Sequence, residues 1–400
     1  MLSPSTLIVL ATVVINMTGV GLFWPILPML VQELGGGTVS QTAALYGAIS
    51  VVFALMQFPI GAWLDKAGPR RTAGFLFLAG SGGGILLFAL AQSPVMLIVA
   101  MGLIGMGCAP VLMATFYFFA RTYSEASFAT LAAVFVGLAT LGNVAGTEPL
   151  AAAVEAFGWR QVAFGLAAFT FAVGIGILAF VKDPPKAESG GEDATLFGGL
   201  ADLFRIRELW FIFPMVAMGY GVAASIRGLW AGPYLNDMYG LSTAEIGRVT
   251  LYMALALAAG SLAYGPLDRL FNTRKWVVLV GNLFVLAAIA FMITADLPPV
   301  WLVTVMFVAI GFFGAGYATQ MAHGKAFVPA HLTGRGVTLL NFFSIGGVGV
   351  MQAASGYVVD ISTSAGGKEA GYESLFVFYG VMLVAALAIY AFSKDGRPQP

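Results

Sequence analysis

Twelve long apolar runs, separated by short polar turns, constrain this sequence more than any other feature. They fall at roughly 6–32, 43–63, 73–91, 95–119, 127–152, 160–181, 209–236, 244–265, 276–294, 300–321, 336–358 and 373–393. A helix rises about 1.5 Å per residue, so about 20 residues cross a hydrocarbon core of about 30 Å. Within lipid each segment must pair its own backbone N–H and C=O groups, which makes such runs helices. Composition excludes a soluble fold: 59% of the 400 residues are hydrophobic and 10% are charged, against about 25% charged in soluble domains. The expected fold is therefore an all-α membrane protein of twelve transmembrane helices. The formal net charge of +0 shows no nucleic-acid footprint, and one cysteine, Cys108, allows no disulfide framework. The run at 6–32 lacks the basic region and cleavage site of a signal peptide and is read as a retained helix.

The turns orient the spans. Gly61-Ala-Trp-Leu-Asp65-Lys66-Ala-Gly68-Pro-Arg70-Arg71 joins spans two and three, and its cations mark a cytoplasmic face. An even number of spans puts both termini on that side. The arrangement places fifteen cations there, including Arg269, Arg274, Lys275 and Arg335, and only Arg160, Arg248 and Lys368 outside. The long polar connection after Lys182 is interrupted by proline and glycine and divides the chain into bundles 1–185 and 205–400, joined by a cytoplasmic linker 186–204. Residues 196–204 form a candidate amphipathic surface helix. Gly265-Pro-Leu-Asp268-Arg269-Leu-Phe-Asn-Thr-Arg274-Lys275 occupies the place in the second half that the 61–71 turn holds in the first. Paired repeats of this kind suit carriers that rock one half against the other around a central site, expected here near mid-membrane.

The 61–71 turn resembles the loop signature of the major facilitator superfamily, matching at Gly61, Asp65, Lys66, Gly68, Arg70 and Arg71, with Leu64 where a small residue is usual. The degenerate copy matches at Gly265, Asp268, Arg269, Arg274 and Lys275, and Gly334-Arg335-Gly336 is similar to the second-half loop. The resemblance implies two pseudo-symmetric six-helix bundles, a solute carrier with alternating access, and a conformational latch made by Gly61, Asp65, Arg70, Arg71, Asp268, Arg269 and Arg335. Span five carries glycines at 137, 142 and 146 without the glycine-proline step of drug/proton antiporters. It faintly resembles the glycine-asparagine signature of nitrate/nitrite porters, but span two has no arginine to match theirs.

Among the candidate site residues, Arg227 stands out. It lies in span seven, roughly 15 Å from the outer end marked by Asp237. A charge at that depth costs several kcal/mol unless hydrated or paired, and it usually faces a cavity. At helical spacing Tyr220, Arg227, Trp230 and Tyr234 form one stripe, and Gly232-Pro233 should bend the helix just beyond it. Three readings fit Arg227: contact with an anionic or hydrogen-bonding solute, an ion pair at an outer gate, or snorkelling to water. Glu148, about 31 Å along span five, is either a proton-coupling carboxylate, the partner of Arg227, or a hydrated helix-end acid. Asn16, Asn143, Gln320 and Asn341 line the same path or join helices together. Gly102, Gly105, Gly107, Gly346, Gly347 and Gly349 allow close helix approach. His323 and His331 are read as residues of a solvated loop. Met101 and Cys108 share a helix face and raise soft-metal transport, against which methionine is a common core filler.

These residues predict a secondary transporter of the inner membrane that carries a small organic solute, anionic or polar-aromatic, with a proton as the candidate coupling ion and uptake by symport as the favoured direction. It is read as a monomer in the lipid bilayer, with no cofactor and no bound metal. Alternatives are a drug/proton antiporter, an inorganic-anion carrier and a metal carrier. An intramembrane enzyme would need clustered acids, histidines or a nucleophile within the spans, and the sequence shows no such cluster there.

Overall fold

The computed structural model describes residues 4–34, 39–123, 131, 134–135, 138–139, 142, 145–146, 148–184, 200–329 and 332–396. Among these, nine helices are long and apolar enough to cross a membrane. The last, 335–390, runs for 56 residues, far more than one crossing needs. It lies in the helix Thr333–Tyr390, which is broken at Gly367 (φ 84°) and so holds two spans. The helix Val39–Leu76 is broken in the same way at Gly68 (φ 80°). In both places a positive φ that glycine adopts without strain turns the chain with almost no loop. A further helix, Pro4–Glu33, covers the first expected span. The fifth expected span lies mostly outside the described residues.

Several threonines within the spans satisfy their hydroxyls locally. The hydroxyls of Thr115, Thr170 and Thr304 donate to the carbonyls of Val111, Leu166 and Val300, each one turn back. Such bonds let a hydroxyl sit in an apolar helix without an unmet donor.

The chain divides into two compact units. The first comprises Met1–Gly36 and Ala48–Gly198, the second Gly37–Gly47 and Gly199–Pro400. In the first, Val13, Phe77, Val111, Phe119 and Ile177 form a core shared by four helices. The expected glycine packing is present there. A Cβ at Gly105 would overlap the Ile49 carbonyl, and one at Gly107 would overlap the Ser81 backbone. In the second unit Tyr379, Tyr390, Phe307 and Leu383 are fully buried. A Cβ at Gly347 would meet Ala217 Cα at 2.8 Å, so the helices Arg207–Ser225 and Thr333–Tyr390 lie backbone to backbone. The candidate surface helix is the short Leu200–Phe204, and its Phe204 ring packs against Trp210, Phe213 and Phe343.

Each unit also contains a π-helical turn, Phe77–Gly82 in the first and Ile226–Trp230 in the second. The backbone N–H of Ala231 reaches Ile226 O, five residues back, and Gly83 reaches Leu78 O in the same way. In the second unit Pro233 has no N–H with which to continue the ladder. The widened turn lies just before it, and the backbone stays helical through Ala231–Tyr239. A π-turn therefore stands on the inner side of Gly232-Pro233, at Arg227 itself.

Candidate solute site

Arg227 is the second residue of the Ile226–Trp230 turn. A π-turn holds one more residue than the α-helix does, so it rotates everything beyond it by about 100°. That rotation splits the expected stripe. Tyr220 and Arg227 are half-buried, while Trp230 and Tyr234 are buried in the bundle. The Trp230 indole N–H donates to Ser355 Oγ at 2.9 Å, and Tyr379 Oη donates to the same oxygen at 3.1 Å. The Tyr234 ring packs edge-on against Tyr372 and Phe376, 5.2 and 5.4 Å between centroids. Trp230 and Tyr234 therefore hold the Arg227 turn from behind and do not continue its face.

Tyr220 lies close enough to Arg227 to act on it electrostatically. Its ring is 5.7 Å from that of Tyr317. Tyr317 Oη in turn donates to Asn341 Oδ1 at 2.7 Å. Tyr220, Tyr317 and Asn341 thus form a polar face drawn from three helices, with Arg227 near Tyr220 on the first of them. Tyr317 was not among the sequence candidates. Its signal was present in Gly314-Ala-Gly316-Tyr317: Gly314 to Gly316 interrupt the tenth span between the helices Val300–Phe313 and Tyr317–Lys325, and Tyr317 opens the second piece.

The other candidates are dispersed. Asn16 is buried in the first unit. Gln320 is buried in the second unit beside Gly219. Asn143 lies outside the described residues. Glu148 begins the helix Glu148–Phe157, and its side chain lies outside them. Among the described residues no group of three or more His, Cys, Asp or Glu is placed to hold a metal ion.

The signature turns meet the ends of their own bundles. Arg70 N donates to Asp183 Oδ1 at 2.8 Å and Arg70 Nε to Leu178 O at 2.7 Å. Gly68 is needed there, since a Cβ would lie 2.7 Å from Asp183 Oδ1. In the second unit Arg274 pairs with Asp268 at 3.3 Å, and the backbone N–H groups of Arg274 and Lys275 donate to Asp395 Oδ1 at 3.1 and 3.0 Å. Burial raises the Asp395 carboxyl, but the Thr273 hydroxyl and these two N–H groups outweigh it and hold the group below its usual value. The two anchors have a readable signal, Ala179-Phe-Val-Lys-Asp183 against Ala391-Phe-Ser-Lys-Asp395, which the reading of the turns alone missed. Arg71 is exposed and Arg335 is partly exposed. The side chains of Gly61, Asp65 and Arg269 lie outside the described residues.

His323 departs from expectation. It is 0% exposed, with Nδ1 2.7 Å from Tyr390 Oη and Nε2 2.9 Å from Lys394 O. A carbonyl only accepts, so Nε2 carries the proton and Nδ1 accepts from the tyrosine. His323 is a core histidine with both nitrogens engaged, not a loop residue; His331 lies outside the described residues.

The Major Facilitator Superfamily model matches residues 9–247 and 224–400. A probable sulfoacetate transporter, SauU of Cupriavidus necator, is 25% identical over 296 residues, 67% of each chain. A probable transporter of Streptomyces coelicolor, SCO4007, is 32% identical over 168 residues, 40% of this chain and 36% of its own. A bacterial homologue of the human lysosomal transporter Spinster, solved inward-facing and occupied, superposes with a TM-score of 0.82 at 19% identity over 100% of both chains. The nucleoside transporter NupG superposes with a TM-score of 0.74 at 14% identity, over 97% of this chain and 99% of its own. With its duplicated turns and paired compact units, the chain belongs to the Major Facilitator Superfamily and is a multi-pass membrane transporter of that fold.

Proposed function

We propose that the transported solute is a small organic anion held by Arg227. The observation that carries this reading is a guanidinium within a π-turn, half-buried beside Tyr220 on a face continued by Tyr317 and Asn341. Guanidinium offers a planar fork of donors that matches carboxylate and sulfonate oxygens two at a time. Tyrosine hydroxyls and a carboxamide add neutral hydrogen bonds, and the Tyr220 ring offers a flat apolar contact for the solute's carbon skeleton. The name of the relative from Cupriavidus necator supports the same class, because sulfoacetate carries a sulfonate and a carboxylate. In this proposal Trp230 shapes the site by holding the turn.

The reading extends to a bacterial-type inner membrane, with bundles 1–185 and 205–400, a linker at 186–204, cytoplasmic termini and a monomeric carrier. The signature turns act on conformation by bracing the inner ends of the bundles. Glu148 is the proposed proton site in a symport. Counterflow in proteoliposomes tests the solute, using sulfoacetate and short carboxylates against wild type, Arg227→Ala and Arg227→Lys. Loss in Arg227→Ala with partial retention in Arg227→Lys is expected; an unchanged Arg227→Ala removes the anion reading. A pH profile of uptake that survives Glu148→Gln removes the proton role.

A further inference from the structure

The helices Thr243–Leu270, Lys275–Thr294 and Val300–Phe313 enclose a notch of about 410 Å³ in the second unit. Phe271, Trp276, Val280, Phe284 and Phe313 wall it, and Tyr264 lies at its floor. The floor presents no spare donor, because Tyr264 Oη donates to Phe313 O at 2.7 Å. The rim faces outward: Phe271 is 64% exposed, Trp276 56% and Phe284 51%. On a membrane-spanning bundle that surface meets lipid. An apolar notch of this kind does not hold water, and left empty its walls forfeit their dispersion contacts. A fatty acyl chain is the apolar filler always at hand.

One end of the notch changes character. Lys275 Nζ lies 5.6 Å from the centroid of the Trp276 ring. It donates to Ala391 O at 2.6 Å and Ser393 O at 2.8 Å, both neutral. No carboxylate lies within ion-pair reach of that ammonium among the described residues, whereas Arg274 beside it is paired with Asp268. The Trp276 indole N–H makes no hydrogen bond among the described residues. A tryptophan at the mouth of an apolar slot, next to an ammonium met only by carbonyls among the described residues, suits a lipid phosphate at headgroup level.

We propose that this notch binds one anionic phospholipid, with an acyl chain lying along Val280 and Phe284 toward Phe313 and the phosphate meeting Lys275 and Trp276. The site is separate from the Arg227 face and does not depend on the identity of the solute.

Native mass spectrometry of the full-length protein, delipidated and then given phosphatidylglycerol or phosphatidylcholine of identical chains, tests the proposal. Wild type is expected to keep one phosphatidylglycerol under conditions that strip other lipids, with at least tenfold weaker retention of phosphatidylcholine. Val280→Phe, which fills a half-exposed position, should lower phosphatidylglycerol retention at least tenfold, while Val280→Ala keeps it. Trp276→Phe should keep the chain but narrow the preference between headgroups. Equal retention of the two lipids by wild type overturns the proposal, as does retention by Val280→Phe equal to wild type. A further check is the Trp276 share of fluorescence, taken as wild type less Trp276→Phe, during titration with chain-brominated phosphatidylglycerol. A plateau near one lipid per protein supports the site; quenching that rises linearly without a plateau overturns it.

Discussion

The π-turn at Phe77–Gly82 and the π-turn at Ile226–Trp230 share a backbone and differ in chemistry. The first, Phe77-Leu-Ala-Gly80-Ser81-Gly82, carries no charge and ends in small residues. Its Gly80 and Ser81 are pressed so closely against Gly107 that a Cβ on Gly107 would overlap the Ser81 backbone. The second is built of Ile226, Arg227, Gly228, Leu229 and Trp230, with Trp230 driven inward and Arg227 left half-buried. A widened helical turn can thus either let a neighbouring helix in or re-aim a side chain. The residues within and opposite the turn decide which. Glycine on the facing helix makes the first a packing device, and a half-buried guanidinium makes the second a candidate for binding.

Substitutions can break this comparison. The largest expected effect is on binding. Arg227→Ala should weaken a bound organic anion by at least about 30-fold, since removing one side of a desolvated charge pair costs about 2–5 kcal/mol. Titration calorimetry of the purified carrier reads this directly, and the melting temperature should hardly move. Gly107→Ala should act the other way round, costing about 1–3 kcal/mol of stability by overpacking against Ser81 and leaving the solute affinity of the surviving protein intact. A thermal melt in detergent distinguishes the two cases. If Gly107→Ala melts like wild type, the first turn is not a packing device.

Smaller changes sharpen the comparison. Trp230→Phe removes the bond to Ser355 and should cost about 1 kcal/mol, with a few-fold loss of affinity as the Arg227 turn loosens. Tyr317→Phe removes the bond to Asn341; its expected effect is a change of about 2- to 5-fold in solute affinity with stability nearly unchanged. Asp395 gives the smallest effect. Its folded-state value is depressed, so its contribution is complete above the ordinary aspartate value of about 4 and is lost as pH falls through the lower folded value. The melting temperature of wild type should therefore fall more steeply below pH about 4 than that of Asp395→Asn.

The spans were legible because lipid imposes length and apolarity on each one, and the turns because Arg70, Arg71, Arg274 and Lys275 interrupt so apolar a chain. Arg227 was legible for the same reason, as a charge inside a span. The stripe through Trp230 was not, because it assumed 3.6 residues per turn throughout, and a π-turn before Pro233 changes the phase without changing composition. Tyr317 hid among aromatics that mostly fill space. His323 sits beside Gly324 and Lys325 and so looked like loop, yet its partners Tyr390 and Lys394 are about 70 residues away, where no local pattern reaches. The anchors at Asp183 and Asp395 were not legible from the turns, because each carboxylate lies more than 100 residues along the chain from the turn it receives.

Those anchors carry a practical corollary. Asp183 fastens residues 68–70, and Asp395 fastens residues 274–275, each inside one unit. Severing the polypeptide anywhere from 185 to 199 would cut neither fastening. The two pieces, made as separate polypeptides, should each keep the staple that closes its own sixth helix against its own hairpin.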